Sequence, residues 1–192
     1  MNLANKLTIF RVVLVPFFVA FMLYDFTDYN RLIALGIFVI ATITDKLDGT
    51  IARKYNMITS FGKFMDPIAD KLLVSSALVC LTALGEIPAW VVIVIIAREF
   101  LISGIRIIAA EKGVAIAASG WGKGKTVAQM AMIIVMLLKL DFFSLTGQIL
   151  HTTEQILYFA GQILIYLSLL LTVVSAADYL IKNKKVISFS DK

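Results

Sequence analysis

Four aspartates stand at spacings that suit a shared task. They occur in the run Asp45-Lys-Leu-Asp48-Gly49-Thr-Ile-Ala52-Arg53 and, eight residues later, in Gly62-Lys-Phe-Met-Asp66-Pro-Ile-Ala-Asp70. On a helix, Asp45, Asp48, Gly49 and Ala52 follow i, i+3, i+4, i+7 and form one stripe, carboxylate at one end and almost bare of side chain at the other. Asp66 and Asp70 are i, i+4, and Pro67 directly after an acidic cap predicts that a helix starts there. Two carboxylate pairs then face each other from adjacent helices. Such a group repels itself unless cations neutralise it. Hard divalent ions such as Mg²⁺ prefer oxygen ligands and complete their shell with substrate phosphate, so two ions between two carboxylate pairs make a clamp for phosphoryl transfer. Gly49 inside a helix costs about 0.5–1 kcal/mol relative to alanine, which points to something approaching the backbone there, such as a nucleotide beside the ions. The plainer alternative is solvated acids at a helix edge, paired with Lys46, Lys63 and Lys71. Four acids at these spacings, with Gly, Ala and Arg interleaved, speak against it.

The elements that must hold these residues follow from composition. The chain has 192 residues, 60% of them apolar and only 16% charged, with a mean hydropathy of +0.91. Soluble domains run near ~45–50% apolar and ~25% charged, so the surplus apolar side chains need lipid to face. Six apolar segments are long enough to cross a hydrocarbon core of ~30 Å: Leu7 to Tyr24, Arg31 to Thr50, Asp66 to Leu84, Pro88 to Ala110, Thr126 to Leu140 and Gln155 to Ile181. Lipid offers backbone groups no partner, so the segments are expected to be helices. The alternation of a barrel strand is absent. The first segment lacks a small-residue cleavage site after it and reads as a retained helix, not a signal peptide. No repeat or linker divides the chain, and residues 1–192 are expected to form a single membrane domain.

Charge placement orients this six-pass arrangement. Sixteen of the eighteen Lys and Arg residues fall on one side, leaving Arg31 and Lys139 on the other. The positive-inside rule makes the rich side cytoplasmic, with both termini there. The net charge of +5 and the pI near 9.3 are then an orientation signal, and nucleic acid is not an expected partner. The ionisable residues within or beside the spans, Arg11, Asp45, Asp48, Asp66, Asp70, Arg98, Glu99 and Arg106, all lie in the cytoplasmic half. Charges are costly in a bilayer and usually face a cavity, so one polar cavity opening inwards is expected. A cation transporter would need acids near the centre of its spans and inverted repeats, which are not visible here. Cys80 alone allows no internal disulfide, and His151 alone cannot anchor a histidine metal site.

The spacing Asp45-x2-Asp48-Gly49-x2-Ala52-Arg53-x8-Gly62-x3-Asp66-x3-Asp70 resembles, position for position, the signature of the CDP-alcohol phosphotransferases, integral membrane enzymes of phospholipid synthesis. The resemblance implies a six-helix fold, usually homodimeric, with a cytoplasm-facing site. It implies that Asp45, Asp48 and Asp66 bind a pair of Mg²⁺ or Mn²⁺ ions and that Asp70 is a metal ligand or the general base. Outside the signature, Asn5-x2-Thr8-x2-Arg11, Arg98-Glu99-Phe100-x2-Ser103-Gly104-x-Arg106 and Ser119-Gly-Trp-Gly-Lys123-Gly-Lys125-Thr126-x2-Gln129 look like the bacterial phosphatidylglycerophosphate synthases of that family. Those enzymes transfer a phosphatidyl group from CDP-diacylglycerol to glycerol 3-phosphate and release CMP. Inositol phosphate, serine or phosphatidylglycerol are alternative acceptors within the family. On this resemblance CDP-diacylglycerol is expected to meet Asn5, Thr8, Asp48, Gly49, Ala52, Arg53, Gly62 and Asp66. The enzyme is expected in the cell membrane.

The acceptor also has a chemical argument. A phosphate near two negative charges needs fixed cations. Arg98 and Arg106 lie far enough inside the fourth span to require an anion, Ser103 shares a face with Arg106, and Lys123 and Lys125 sit across the same cytoplasmic connection. These five are the candidate acceptor-phosphate residues. Pairing of Arg98 with Glu99, and headgroup anchoring by Arg106, Lys123 and Lys125, are the competing readings. Lys123-Gly-Lys125-Thr126 is not a P-loop, since Ser119 stands where glycine is required and no strand precedes it. Gly120, Gly122 and Gly124 are expected to form a turn before the fifth helix.

Overall fold

The computed structural model describes residues 3–54, 60–111, 120–145 and 151–184, with side chains at 5–44, 65, 68, 69, 71–109, 120–139 and 155–184. The described residues form α1 (Leu3–Leu23), α2 (Asn30–Lys54), α3 (Ser60–Ala83), α4 (Ala89–Glu111), α5 (Gly120–Leu145) and α6 (His151–Lys182), with no strand among them. Each of the six apolar segments thus lies on its own helix. The ends differ from the sequence expectation on the charged side. α2 does run on to Lys54, but α3 already starts at Ser60, so Asp66 is not its cap and Pro67 stands in its second or third turn. α5 starts at Gly120, so Gly120, Gly122 and Gly124 are helical and do not form a turn. The reason is common to both: apolarity stops at a membrane surface, whereas the backbone goes on closing i→i−4 bonds beyond it. The expected connection from Asp141 to Glu154 is likewise helical to Leu145 and again from His151.

Two connections are defined by their own chemistry. Before α2, the Thr27 amide donates to Asn30 Oδ1 at 3.0 Å, tying the turn to the first residue of the helix. After α3, the Glu86 amide reaches the Leu81 carbonyl at 2.9 Å and the Gly85 amide reaches Thr82 at 3.0 Å. With Gly85 at φ 76°, this is the left-handed helix ending for which glycine is favoured. Pro88 then precedes α4, where its missing N–H costs no hydrogen bond.

The helices close into a ring. α1 packs on α2 and α3, α2 on α5, α5 on α6, α6 on α4, and α4 back on α3. The interior is aliphatic and aromatic: Phe18 of α1 meets Phe38 of α2 with ring centroids 6.0 Å apart, and Leu78, Ile95, Met136 and Ile165 bring in the other four helices. α5 and α6 approach closely at Gly161, where a Cβ would lie 2.7 Å from Met136 Cε. Far from the charged ends, Lys139 Nζ bonds Glu86 Oε2 at 2.6 Å and lies 5.3 Å from the Tyr158 ring centroid, pinning the α3–α4 turn to α5 and α6.

The outer surface is greasy. Phe17, Ile40, Val79, Ile93, Val127 and Ile163 are all more than half exposed, the converse of a soluble surface and what a lipid-facing belt requires. By length and composition, Asn5–Leu23 and Gln155–Lys182 are the described helices apolar enough to cross a membrane; Asn30–Thr44 and Lys71–Ala83 are shorter apolar stretches.

Candidate active site

The up-and-down course of the six helices brings the start of α1, the end of α2, the start of α3, the end of α4, the start of α5 and the end of α6 to one end of the bundle. Most of the buried polar groups among the described residues are on that side. Within α1, Asn5, Thr8 and Arg11 are buried, Arg11 only 1% exposed. A buried guanidinium is tolerated only with hydrogen-bonding or charged company, so this end of the bundle is built around polar groups.

α2 and α3 carry the aspartates. On α2, positions 45, 48 and 52 follow the buried Phe38 and Ala41 at helical spacing along the chain. On α3, Ala69 and Leu73 are buried. The side chains of Asp45, Asp48, Gly49, Ala52, Arg53, Gly62, Asp66 and Asp70 lie outside the described residues. Among the described residues no cluster of three His, Cys, Asp or Glu could hold a metal ion. The candidate donors are four carboxylates on two consecutive helices, and carboxylate oxygens are the hard ligands that suit Mg²⁺ or Mn²⁺.

The other half of the bundle holds the cations. Glu99 on α4 is their hub: Arg98 Nη1 donates to Glu99 Oε1 at 3.0 Å, and Lys125 Nζ from α5 donates to the same oxygen. Arg98 Nη2 goes on to Ser175 Oγ of α6 at 3.1 Å. Lys125 is 3% exposed, and the Glu99 carboxylate is one of the partners that such a buried charge requires. Ser103 donates to the Glu99 carbonyl one turn back, at 2.7 Å, so its hydroxyl is spent on its own helix. Arg106 is exposed and lies 5.8 Å from the centroid of the Tyr179 ring, within the range of a cation–π attraction. Lys123 is exposed at the start of α5. Arg98 and Lys125 therefore meet at one carboxylate, while Arg106 and Lys123 stand outside that contact.

Several participants are not singled out by sequence reasoning. On α6, Ser168, Thr172, Ser175 and Tyr179 are all buried and recur at steps of four, three and four, a polar seam along a helix that is otherwise apolar. Gln129 Nε2 of α5 reaches Thr172 Oγ1 at 3.5 Å, while Thr172 itself donates to the Ser168 carbonyl at 2.6 Å. The spacing was the available signal. Between α3, α4 and α5 lies a small, partly open cleft, whose polar wall is Lys71, Ser75, Glu99, Lys125, Thr126 and Gln129. Lys71 is the residue after Asp70, so the cleft lies against the acidic helix on one side and the cation hub on the other.

The chain is similar to known proteins over most of its length. Residues 1–174 match the family described as CDP-alcohol phosphatidyltransferase. The chain is 39% identical to the CDP-diacylglycerol–glycerol-3-phosphate 3-phosphatidyltransferase of Bacillus subtilis, over 99% of each chain. It is 39% identical to the protein of the same name from Haemophilus influenzae, over 93% of this chain and 91% of that one. A protein named probable phosphatidylglycerophosphate synthase from Mycobacterium tuberculosis is 44% identical over 73% of this chain and 68% of its own.

Proposed function

Since this chain belongs to the CDP-alcohol phosphatidyltransferase family and is a phosphatidyltransferase, we propose that it transfers the phosphatidyl group of CDP-diacylglycerol to glycerol 3-phosphate, giving phosphatidylglycerophosphate and CMP. The observation that carries the choice of substrates is the likeness, over almost the whole of both chains, to the Bacillus subtilis enzyme named for that reaction. Residues 1–192 form one domain in the cell membrane, with six spans, both termini and the active site on the cytoplasmic side, and two copies associate as a homodimer. The sixteen cations at one end support that orientation.

Asp45, Asp48, Asp66 and Asp70 would hold two Mg²⁺ or Mn²⁺ ions. Bound there, the ions neutralise the diphosphate and the charge that develops on the leaving CMP. The residues of the chain do the rest. Asn5 and Thr8 donate hydrogen bonds to the nucleotide; Gly49, Ala52 and Gly62 leave room for it, and Arg53 offsets phosphate charge. Asp70 takes the proton from the acceptor hydroxyl as its oxygen bonds to the phosphatidyl phosphorus and the bond to CMP breaks. Arg98, Arg106, Lys123 and Lys125, with Ser103 beside them, bind the acceptor phosphate. Lys125 and Arg98 reach it from the Glu99 hub, which keeps both side chains in place before the anion arrives. Arg106 is held over Tyr179.

The test is to incubate the purified protein with CDP-diacylglycerol and Mg²⁺, to offer glycerol 3-phosphate, inositol phosphate, serine and phosphatidylglycerol separately, and to measure CMP. Release is expected with glycerol 3-phosphate. Release with one of the others instead would move the chain to a different branch of the family.

A further inference from the structure

Every cation proposed for the acceptor answers to its phosphate, and none of them reads the rest of the molecule. Glycerol 3-phosphate also carries two hydroxyls, one that attacks and one, on the middle carbon, that does not. A hydroxyl is recognised by an acceptor able to take its proton in a hydrogen bond, and a site that makes such a bond rejects the analogue lacking it strongly, because the site's own group is left unpaired.

The cleft between α3, α4 and α5 contains one carboxylate among its described residues, Glu99. Its two oxygens are used unequally. Both cations, Arg98 Nη1 and Lys125 Nζ, donate to Oε1, and no described residue donates to Oε2. The side chain keeps 20% of its surface exposed and forms part of the cleft wall. One oxygen is thus fixed by two cations while the carboxylate retains lone pairs for a guest. The opposite wall is Lys71 and Ser75 of α3, one and five residues beyond the proposed base Asp70. A three-carbon phosphate seated in this cleft lies beside Glu99.

We infer that Glu99 is a specificity-determining residue, accepting a hydrogen bond through Oε2 from the middle hydroxyl of a polyol phosphate seated in this cleft. The inference rests on the acceptor reading above. It gives Glu99 two simultaneous tasks, since Oε1 holds Lys125 and Arg98 for the phosphate while Oε2 selects the carbon chain that bears it. It also accounts for an acid in a site that otherwise collects cations. Its charge is balanced by the pair it holds, so it does not repel the anion it helps to select.

The experiment compares glycerol 3-phosphate with 1,3-propanediol monophosphate, which keeps the phosphate and the attacking hydroxyl and lacks only the middle one. CMP release from CDP-diacylglycerol is measured for the full-length wild-type protein and for Glu99→Gln. The wild type is expected to prefer glycerol 3-phosphate by at least about ten-fold in kcat/KM, the effect of one hydrogen bond to a charged group. In Glu99→Gln that preference should fall several-fold towards unity. Any loss of Lys125 positioning lowers both acceptors alike and leaves their ratio unmoved, so the ratio separates selection from mere structure. Equal use of the two acceptors by the wild type overturns the inference without any variant, whether or not Glu99→Gln folds. An unchanged preference in Glu99→Gln overturns it for this residue. Absence of CMP release with glycerol 3-phosphate in the wild type, with release on another acceptor, overturns the acceptor reading itself and is told apart by that first measurement.

Discussion

The two halves of the bundle handle charge in opposite ways. In α1–α3 the acids come close together along the chain, four of them on two consecutive helices. In α4–α6 the charged and polar groups are drawn from distant positions: Arg98 meets Ser175, and Lys125 meets Glu99, only because three helices converge. The first half suits metal ions, which need several oxygens at fixed separations. The second suits an anion, which needs cations kept in place and not neutralised outright. The contrast predicts that damage to the first half appears in turnover and damage to the second in the affinity for one substrate.

The sharpest break should come from Asp70→Asn. Loss of the proton acceptor is expected to lower the rate of CMP release by about 10²–10⁴-fold, while the folded protein still binds CDP-diacylglycerol in the presence of Mg²⁺. Turnover within ten-fold of wild type would remove Asp70 as the base. A smaller and differently directed effect is expected from Ser175→Ala, which takes away the α6 partner of Arg98. The KM for glycerol 3-phosphate should rise about three- to ten-fold, in line with a hydrogen bond to a charged group, and that for CDP-diacylglycerol should not. Equal shifts in both would show that the seam on α6 is only packing. Smallest of all, Glu86→Gln cuts the ion pair with Lys139 at the end away from the site. It should lower thermal stability by about 0.5–1 kcal/mol with both KM values unchanged, and a change in either KM would mean that the two ends are coupled.

The same contrast decides what could be read from the sequence. All six helices were legible, because each contains a long apolar run, and a run of that length reads as a helix. Their charged ends were not. Asp66-Pro67 imitates a helix start, yet α3 begins at Ser60, and the glycines before Thr126 imitate a turn, yet α5 begins at Gly120. Local signals describe what a residue tolerates, and here neighbouring turns override them. The acidic motif stands out in the sequence because its spacing is local, while the aspartate side chains lie outside the described residues. The Glu99 hub was only half legible: the Arg98 pairing is between neighbours in sequence, but the Lys125 partner lies 26 residues away. The polar seam of α6 escaped because single Ser and Thr residues in an apolar helix can bond their own backbone, as Thr172 does to Ser168, and so carry no evident demand for a partner.

The division of labour between the halves is tested most directly by varying both substrates with Arg106→Ala, the exposed cation held over Tyr179. The account predicts that the KM for glycerol 3-phosphate rises about ten-fold or more while the KM for CDP-diacylglycerol stays at the wild-type value. An equal rise in both, or a rise confined to CDP-diacylglycerol, would contradict it.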